Sequence, residues 1–130
     1  MKEPVFPPIE ALIDLHAELI AEHGGAPGLR DRGALEMSFA RPKQIIAYAD
    51  GHLTIFDLAA ALCVSIMRNH PFVDGNKRVG FAALGIMLGM NGLFLDVSER
   101  EAADMILSVA AGQRSEDDLG QWVANNSYEE

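Results

Sequence analysis

The chain has 130 residues, 49 % of them hydrophobic and 22 % charged, with a mean hydropathy near zero. That suffices for a single domain with a real core over residues 1–130, and it argues against disorder. With 19 acidic and 10 basic side chains the net charge is −9, which excludes a broad nucleic-acid footprint, since that needs an excess of Lys and Arg on one face.

The elements follow in chain order. Residues 1–8 lack the basic-then-apolar pattern of a signal peptide, so a cytoplasmic protein with no membrane association is expected. Pro7-Pro8 opens a first helix, because proline suits the first helical turn. Ile9, Leu12, Ile13, His16, Leu19, Ile20 and His23 recur at helical spacing, and Gly24-Gly25-Ala26-Pro27-Gly28 ends the run. His16 and His23 share that helix, but without a spaced carboxylate or cysteine they read as a helix edge rather than a metal face. Asp31 caps a second helix expected to stop at Arg41-Pro42, since the residue before proline avoids the helical region. A further short helix is expected over residues 43–48, then a turn at Asp50-Gly51.

Thr54-x-x-Asp57 is a variant capping box, with Leu53 and Leu58 placed as a hydrophobic staple, and it starts a helix reaching about Asn69. Within that helix lies Cys63, the single cysteine. No intrachain disulfide is possible, and its apolar neighbours make it a small buried hydrophobe rather than a nucleophile. A helix from Gly75 or Asn76 to Asn91-Gly92 carries Gly80, Gly85 and Gly89, which are expected to mark close approach of neighbouring helices. Val79–Leu95 is the long apolar segment, short for a membrane span. Capping boxes at Ser98-x-x-Glu101 and Ser115-x-x-Asp118 begin two more helices, the last turning Leu119, Trp122 and Val123 inward. No alternation of polar and apolar residues is long enough to suggest a sheet, so the fold class is all-α.

Between the two apolar helices lies His70-Pro71-Phe72-Val73-Asp74-Gly75-Asn76-Lys77-Arg78. It combines a titratable base, an acidic metal-ligand candidate, a turn and two adjacent cations at a helix start, as polyphosphate chemistry requires. His70 at the end of a helix, where the dipole favours imidazolium, suits a general base. Asp74 offers oxygen to Mg²⁺, and Gly75 lets the backbone approach an anion. Asn76 is expected to donate from its side-chain amide, and Lys77 and Arg78 to neutralise phosphate charge. Phe72 anchors the loop. Arg68 either reaches the phosphates or pairs with an acidic neighbour, while Arg30 and Arg41 tie down the segment between the first helices.

This motif resembles that of the Fic/Doc superfamily, all-α proteins that transfer part of a nucleotide to a protein hydroxyl. Gly28–Glu36 with Ala40-Arg41-Pro42 resembles the segment between the first helices of Doc-type proteins, and Trp122–Asn125 fits too. The resemblance implies a compact helical domain with a central buried helix after the motif loop. Fic adenylyltransferases have a small residue where this chain has Lys77 and a second arginine where it has Phe81. The Asn-Lys-Arg ending is instead similar to the Doc branch, the toxins of death-on-curing toxin–antitoxin modules. That implies ATP with Mg²⁺ as cofactors and transfer of the γ-phosphate by a protein kinase. The implied substrate is a threonine hydroxyl of elongation factor Tu in the bacterial cytoplasm, with arrest of translation.

The resemblance carries over His70 as base and Asp74 as metal ligand, with Gly75 and Asn76 as anion hole and Lys77 and Arg78 on the phosphates. His52 falls where related proteins place a flap that docks the target polypeptide. The self-inhibiting Ser/Thr-x-x-x-Glu-Gly/Asn pattern of some Fic proteins is absent, because Ser98-x-x-Glu101 has the wrong spacing. A separate antitoxin that lays an amphipathic segment in a hydrophobic groove is therefore the expected partner. The alternatives are a Fic-type adenylyltransferase and a non-catalytic module that binds a partner through the same cleft.

Overall fold

A computed structural model describes residues 3–47 and 54–130 of the chain. The expected Asp50-Gly51 turn, His52 and the Leu53 half of the staple lie outside them. Six helices account for most of the described chain: α1 (Ile9–His23), α2 (Arg32–Ala47), α3 (Ile55–Asn69), α4 (Asn76–Met90), α5 (Glu99–Ala110) and α6 (Glu116–Asn125). One cluster of buried side chains draws on all six, from Leu12 of α1 through Leu35 and Phe39 of α2 to Leu119 and Val123 of α6.

α3 is the deepest element, with every residue from Leu58 to Ile66 buried, and it packs against α2, α4 and α6. Thr54 Oγ1 accepts from the Asp57 N–H while Asp57 accepts from the Thr54 N–H, so the variant capping box forms as read. The boxes at Ser98–Glu101 and Ser115–Asp118 form in the same way. α4 follows the motif loop and buries one face, from Asn76 and Val79 to Leu88, touching α1, α3 and α5. No described helix is long and apolar enough to cross a membrane.

Three sequence expectations are corrected. First, Arg41-Pro42 does not stop α2, which continues through Pro42 to Ala47. Leu35, Phe39, Pro42 and Ile46 keep helical spacing across the proline, and all face the core. Burial of that continuous stripe outweighs the roughly 3 kcal/mol a proline costs inside a helix. Arg41, accordingly on a helix, does not tie the segment between helices; it reaches Glu116 at the start of α6, 2.6 Å away.

Second, the glycines of α4 differ from one another. A Cβ at Gly80 would sit 3.1 Å from the Cys63 carbonyl oxygen and 3.3 Å from Met67, so there α3 and α4 do touch backbone to backbone. At Gly85 and Gly89 nothing lies within 4 Å, and both are exposed. Third, a small sheet exists: β1 (Leu93–Leu95) pairs antiparallel with β2 (Ser127–Glu129), bringing Phe94 against Tyr128. Strands of three residues carry too little alternation to register as a period.

Candidate active site

α3 ends on the loop in a particular way. Asn69 is its last residue, and His70 turns left-handed (φ 53°, ψ 53°), the one described non-glycine residue with positive φ. That conformation costs energy for any residue with a Cβ, so it persists only where neighbours enforce it. Arg30 does so: its Nε donates to the His70 carbonyl at 2.7 Å and its Nη2 to the Asn69 carbonyl at 3.0 Å. These are orphan acceptors at a helix C-terminus, and a cation is favoured beside them.

The segment between α1 and α2 lies across the loop like a strap. The N–H groups of Arg30 and Asp31 both donate to the Pro71 carbonyl, and the Val73 N–H donates to the Gly28 carbonyl. A bridge between Leu29 and Phe72 closes the pair. Asp31 also caps α2 through the Ala34 N–H, as its position suggested. Phe72 is fully buried and anchors the loop, as expected.

Asn76 does something other than its sequence reading. Its side chain is 4 % exposed and grips the backbone of Phe72, accepting from the N–H at 3.0 Å and donating to the carbonyl at 2.9 Å. The oxygen and one N–H of the amide are therefore engaged in holding the loop. What Asn76 offers an anion is its backbone N–H, which with those of Lys77 and Arg78 opens α4 and has no intrahelical acceptor. Gly75 precedes them at φ 75°, the left-handed region open to glycine.

Asp74 is exposed, and both its oxygens are engaged: Oδ1 accepts from the Gly75 N–H at 2.8 Å and Oδ2 from the Ala26 N–H at 3.2 Å. Those two donors, the Ala26 one foremost, hold its carboxyl below the usual carboxylate range, with Arg78 and His16 contributing. The carboxylate can approach the strap only because Gly25 is bare. A Cβ there would lie 2.8 Å from Oδ2, and the φ of +114° is itself a glycine conformation.

His70, Asp74, Gly75, Asn76, Lys77 and Arg78 come together on one cleft of about 510 Å³, along with Arg68, Met67 and Val109. The described ion pairs lie elsewhere, so Arg68, Lys77 and Arg78 face the cleft without a carboxylate in salt-bridge range among the described residues. The cleft floor is the N-terminus of α4, so three side-chain cations and a set of free N–H groups converge on a single volume. Lys77 and Arg78 also edge a second, apolar hollow of about 600 Å³ between α1, α4 and α5. Phe81 lines that hollow and not the cleft.

Cys63 takes no part. It is fully buried, and burial pushes its thiol up to about 12. His16, read as a helix edge, is instead buried at 3 % exposure: its ring stacks on Phe72 and its Nε2 lies 2.8 Å from the Asp74 carbonyl oxygen. His23 stays exposed near Glu22. The signal for His16 was present in the four-residue spacing of Leu12, His16 and Ile20, which puts a polar ring on the buried stripe of α1 with nothing polar beside it there. Arg30 does tie down the segment between the first helices, as expected, but nothing in the sequence named its partners or those of Ala26, which lie some forty or more residues away.

Comparison with known proteins matches residues 6–88 to the Fic/DOC family. The chain belongs to that family. Two relatives fall within its Doc-type branch. A toxin Doc from Mycolicibacterium smegmatis is 40 % identical over 89 residues, covering 67 % of this chain and 68 % of the relative. A protein kinase doc from Escherichia phage P1 is 34 % identical over 106 residues, covering 82 % of each. The Fic/DOC match spans α1 through most of α4, and so contains the strap, the loop and the cleft floor.

Proposed function

We propose that this chain is a Doc-type toxin that acts as a protein kinase, transferring the γ-phosphate of ATP to a threonine hydroxyl of elongation factor Tu in the bacterial cytoplasm. The observation that carries the reading is the convergence of His70, Asp74, the N-terminus of α4 and three cations, none in an ion pair among the described residues, on one cleft. The names of the two Doc relatives support toxin and kinase in turn.

Within that reading His70 accepts the proton of the target hydroxyl. Its left-handed backbone, clamped by Arg30, holds the imidazole at the cleft edge. The N–H groups opening α4 and the side chains of Lys77 and Arg78 bind phosphate oxygens, and Arg68 completes a cationic rim. Asp74 is ionised and keeps lone pairs beyond its two backbone bonds, which suits one ligand of Mg²⁺. Among the described residues no three His, Cys, Asp or Glu side chains cluster as a cage, and Mg²⁺ held by one carboxylate, phosphate and water needs none. ATP would supply the phosphoryl group, and Mg²⁺ would offset charge on its phosphates.

Lys77 at the floor of the cleft and Phe81 outside it favour the kinase over adenylyl transfer. A lysine occupies the room a glycine would leave for an α-phosphate, and a phenyl ring cannot clamp the remaining ones. The apolar hollow edged by Lys77 and Arg78, with Leu19, Ile106 and Leu107 along it, suits the amphipathic segment of an antitoxin. An acidic residue on that segment would meet the same two cations that serve the phosphates.

The test is incubation of the protein with elongation factor Tu, Mg²⁺ and ATP labelled at the α- or the γ-phosphate. Label passing from the γ position alone, and lost in His70→Ala, is expected. Transfer from the α position alone would make the protein an adenylyltransferase. If neither label moves and His70→Ala still stops growth, the protein acts by binding.

A further inference from the structure

We infer that His16 is a positioning residue: through its bond to the Asp74 carbonyl it aims the Gly75 N–H and the Asp74 carboxylate. The inference rests on the reading above in so far as that carboxylate serves a metal. A carbonyl oxygen can only accept, so the Nε2 of His16, 2.8 Å away, carries the proton, which fixes the ring's tautomer. The ring is held in turn by its stack on Phe72, with centroids 3.9 Å apart and planes 12° from parallel.

The consequence follows from peptide geometry. The Asp74 carbonyl and the Gly75 N–H belong to one planar trans peptide and point to opposite sides of it. Pinning the carbonyl toward α1 therefore turns the N–H away from α1, where it meets Asp74 Oδ1. Among the described hydrogen bonds, only that of His16 ties the plane directly to another helix; the Gly75 N–H ties it to the Asp74 carboxylate, which the Ala26 N–H holds in turn. Val73 is held by Gly28 and Phe72 by Asn76, but both lie upstream of it. Gly75 has φ 75° and no Cβ, so on its own it would let the plane rotate cheaply. Rotation would remove one of the two donors on the Asp74 carboxylate and so release its Oδ1. A histidine on a different helix thus sets the orientation of the groups beside the metal-ligand candidate, as outer partners commonly do.

Two substitutions separate this role from packing. His16→Phe keeps a ring on Phe72 and loses the donor; His16→Gln keeps a donor and loses the stack. Amide exchange of Gly75 and Ala26, measured by NMR on the full chain without nucleotide, is compared with amides in the middle of α3. His16→Phe is expected to speed Gly75 and Ala26 by about fivefold, as loss of one net hydrogen bond implies, and to leave α3 unchanged. It should also raise the Mg²⁺ concentration for half-maximal transfer by about 10- to 100-fold. His16→Gln should stay close to the wild type in both.

The inference is overturned if His16→Phe exchanges like the wild type, if α3 amides accelerate equally, or if His16→Gln is the more disturbed variant. Should His16→Phe fail to fold, His16→Gln decides alone: undisturbed loop amides support the role and accelerated ones overturn it. If the wild type transfers no phosphate, the kinase reading fails while the exchange contrast still decides His16.

Discussion

Replacing Asn76 by alanine tests the clamp that holds the loop. Both polar atoms of its side chain are bonded to the backbone of Phe72, and both residues are out of reach of water. The alanine variant leaves the Phe72 N–H and carbonyl without partners, at about 1–3 kcal/mol each when buried. Allowing for partial relaxation, about 2–4 kcal/mol is lost from a domain whose total stability is of order 5–15 kcal/mol. With an unfolding entropy of roughly 2 cal/mol/K per residue, each kcal/mol moves the midpoint of a chain this size by about 4 °C. The melting temperature should therefore fall by about 7–15 °C. Asn76→Asp is informative beside it. The carboxylate can still accept from the Phe72 N–H but presents a second oxygen to the Phe72 carbonyl, so it too should melt well below the wild type. Thermal melts followed by circular dichroism, without nucleotide, decide the matter. If Asn76→Ala melts within about 2 °C of the wild type and loses only nucleotide affinity, the amide is a ligand donor after all and the clamp argument fails.

Two further outcomes follow from the geometry. Gly80→Ala should lower the melting temperature. The new Cβ meets a backbone carbonyl at 3.1 Å, and overpacking of about 1–3 kcal/mol exceeds the ~1 kcal/mol gained in helix propensity. Gly85→Ala meets open space and should raise it, so equal signs in the two melts would contradict the packing described. Asp74 has a folded pKa below its unfolded value. Its contribution to stability is thus present above the ordinary carboxylate range and is lost as pH falls through the depressed folded value. The gap in urea midpoint between wild type and Asp74→Asn should accordingly narrow from about pH 7 to about pH 3. A gap independent of pH would mean that the Ala26 and Gly75 donors do not favour the ionised form.

Much of the molecule was legible along the chain because its signals are local. Helix starts are written in the three residues that follow a cap, so Thr54, Ser98 and Ser115 announce α3, α5 and α6. The loop from His70 to Arg78 is contiguous, so its chemical inventory could be read before any fold was known. The core followed from apolar spacing in the same way, with Cys63 among its buried members.

What the linear pattern left open depends on groups brought together from far apart in the chain. Pro42 breaks a local rule, and only burial of the stripe from Leu35 to Ile46 decides that α2 continues. The three glycines of α4 are alike as letters; the path of α3 alone separates Gly80 from Gly85 and Gly89. Asn76 is a polar residue at a helix start, and nothing in its neighbours says that its amide turns back onto Phe72. His16, Ala26 and Arg30 reach the loop from 40 to 58 residues away, and they set its carbonyl, its carboxylate and its left-handed turn. The sequence by itself determined which chemical groups the loop carries and which helices flank it. The tertiary structure alone decided where those groups point, because the direction of a carbonyl or a carboxylate is settled by the partner that packing puts opposite it.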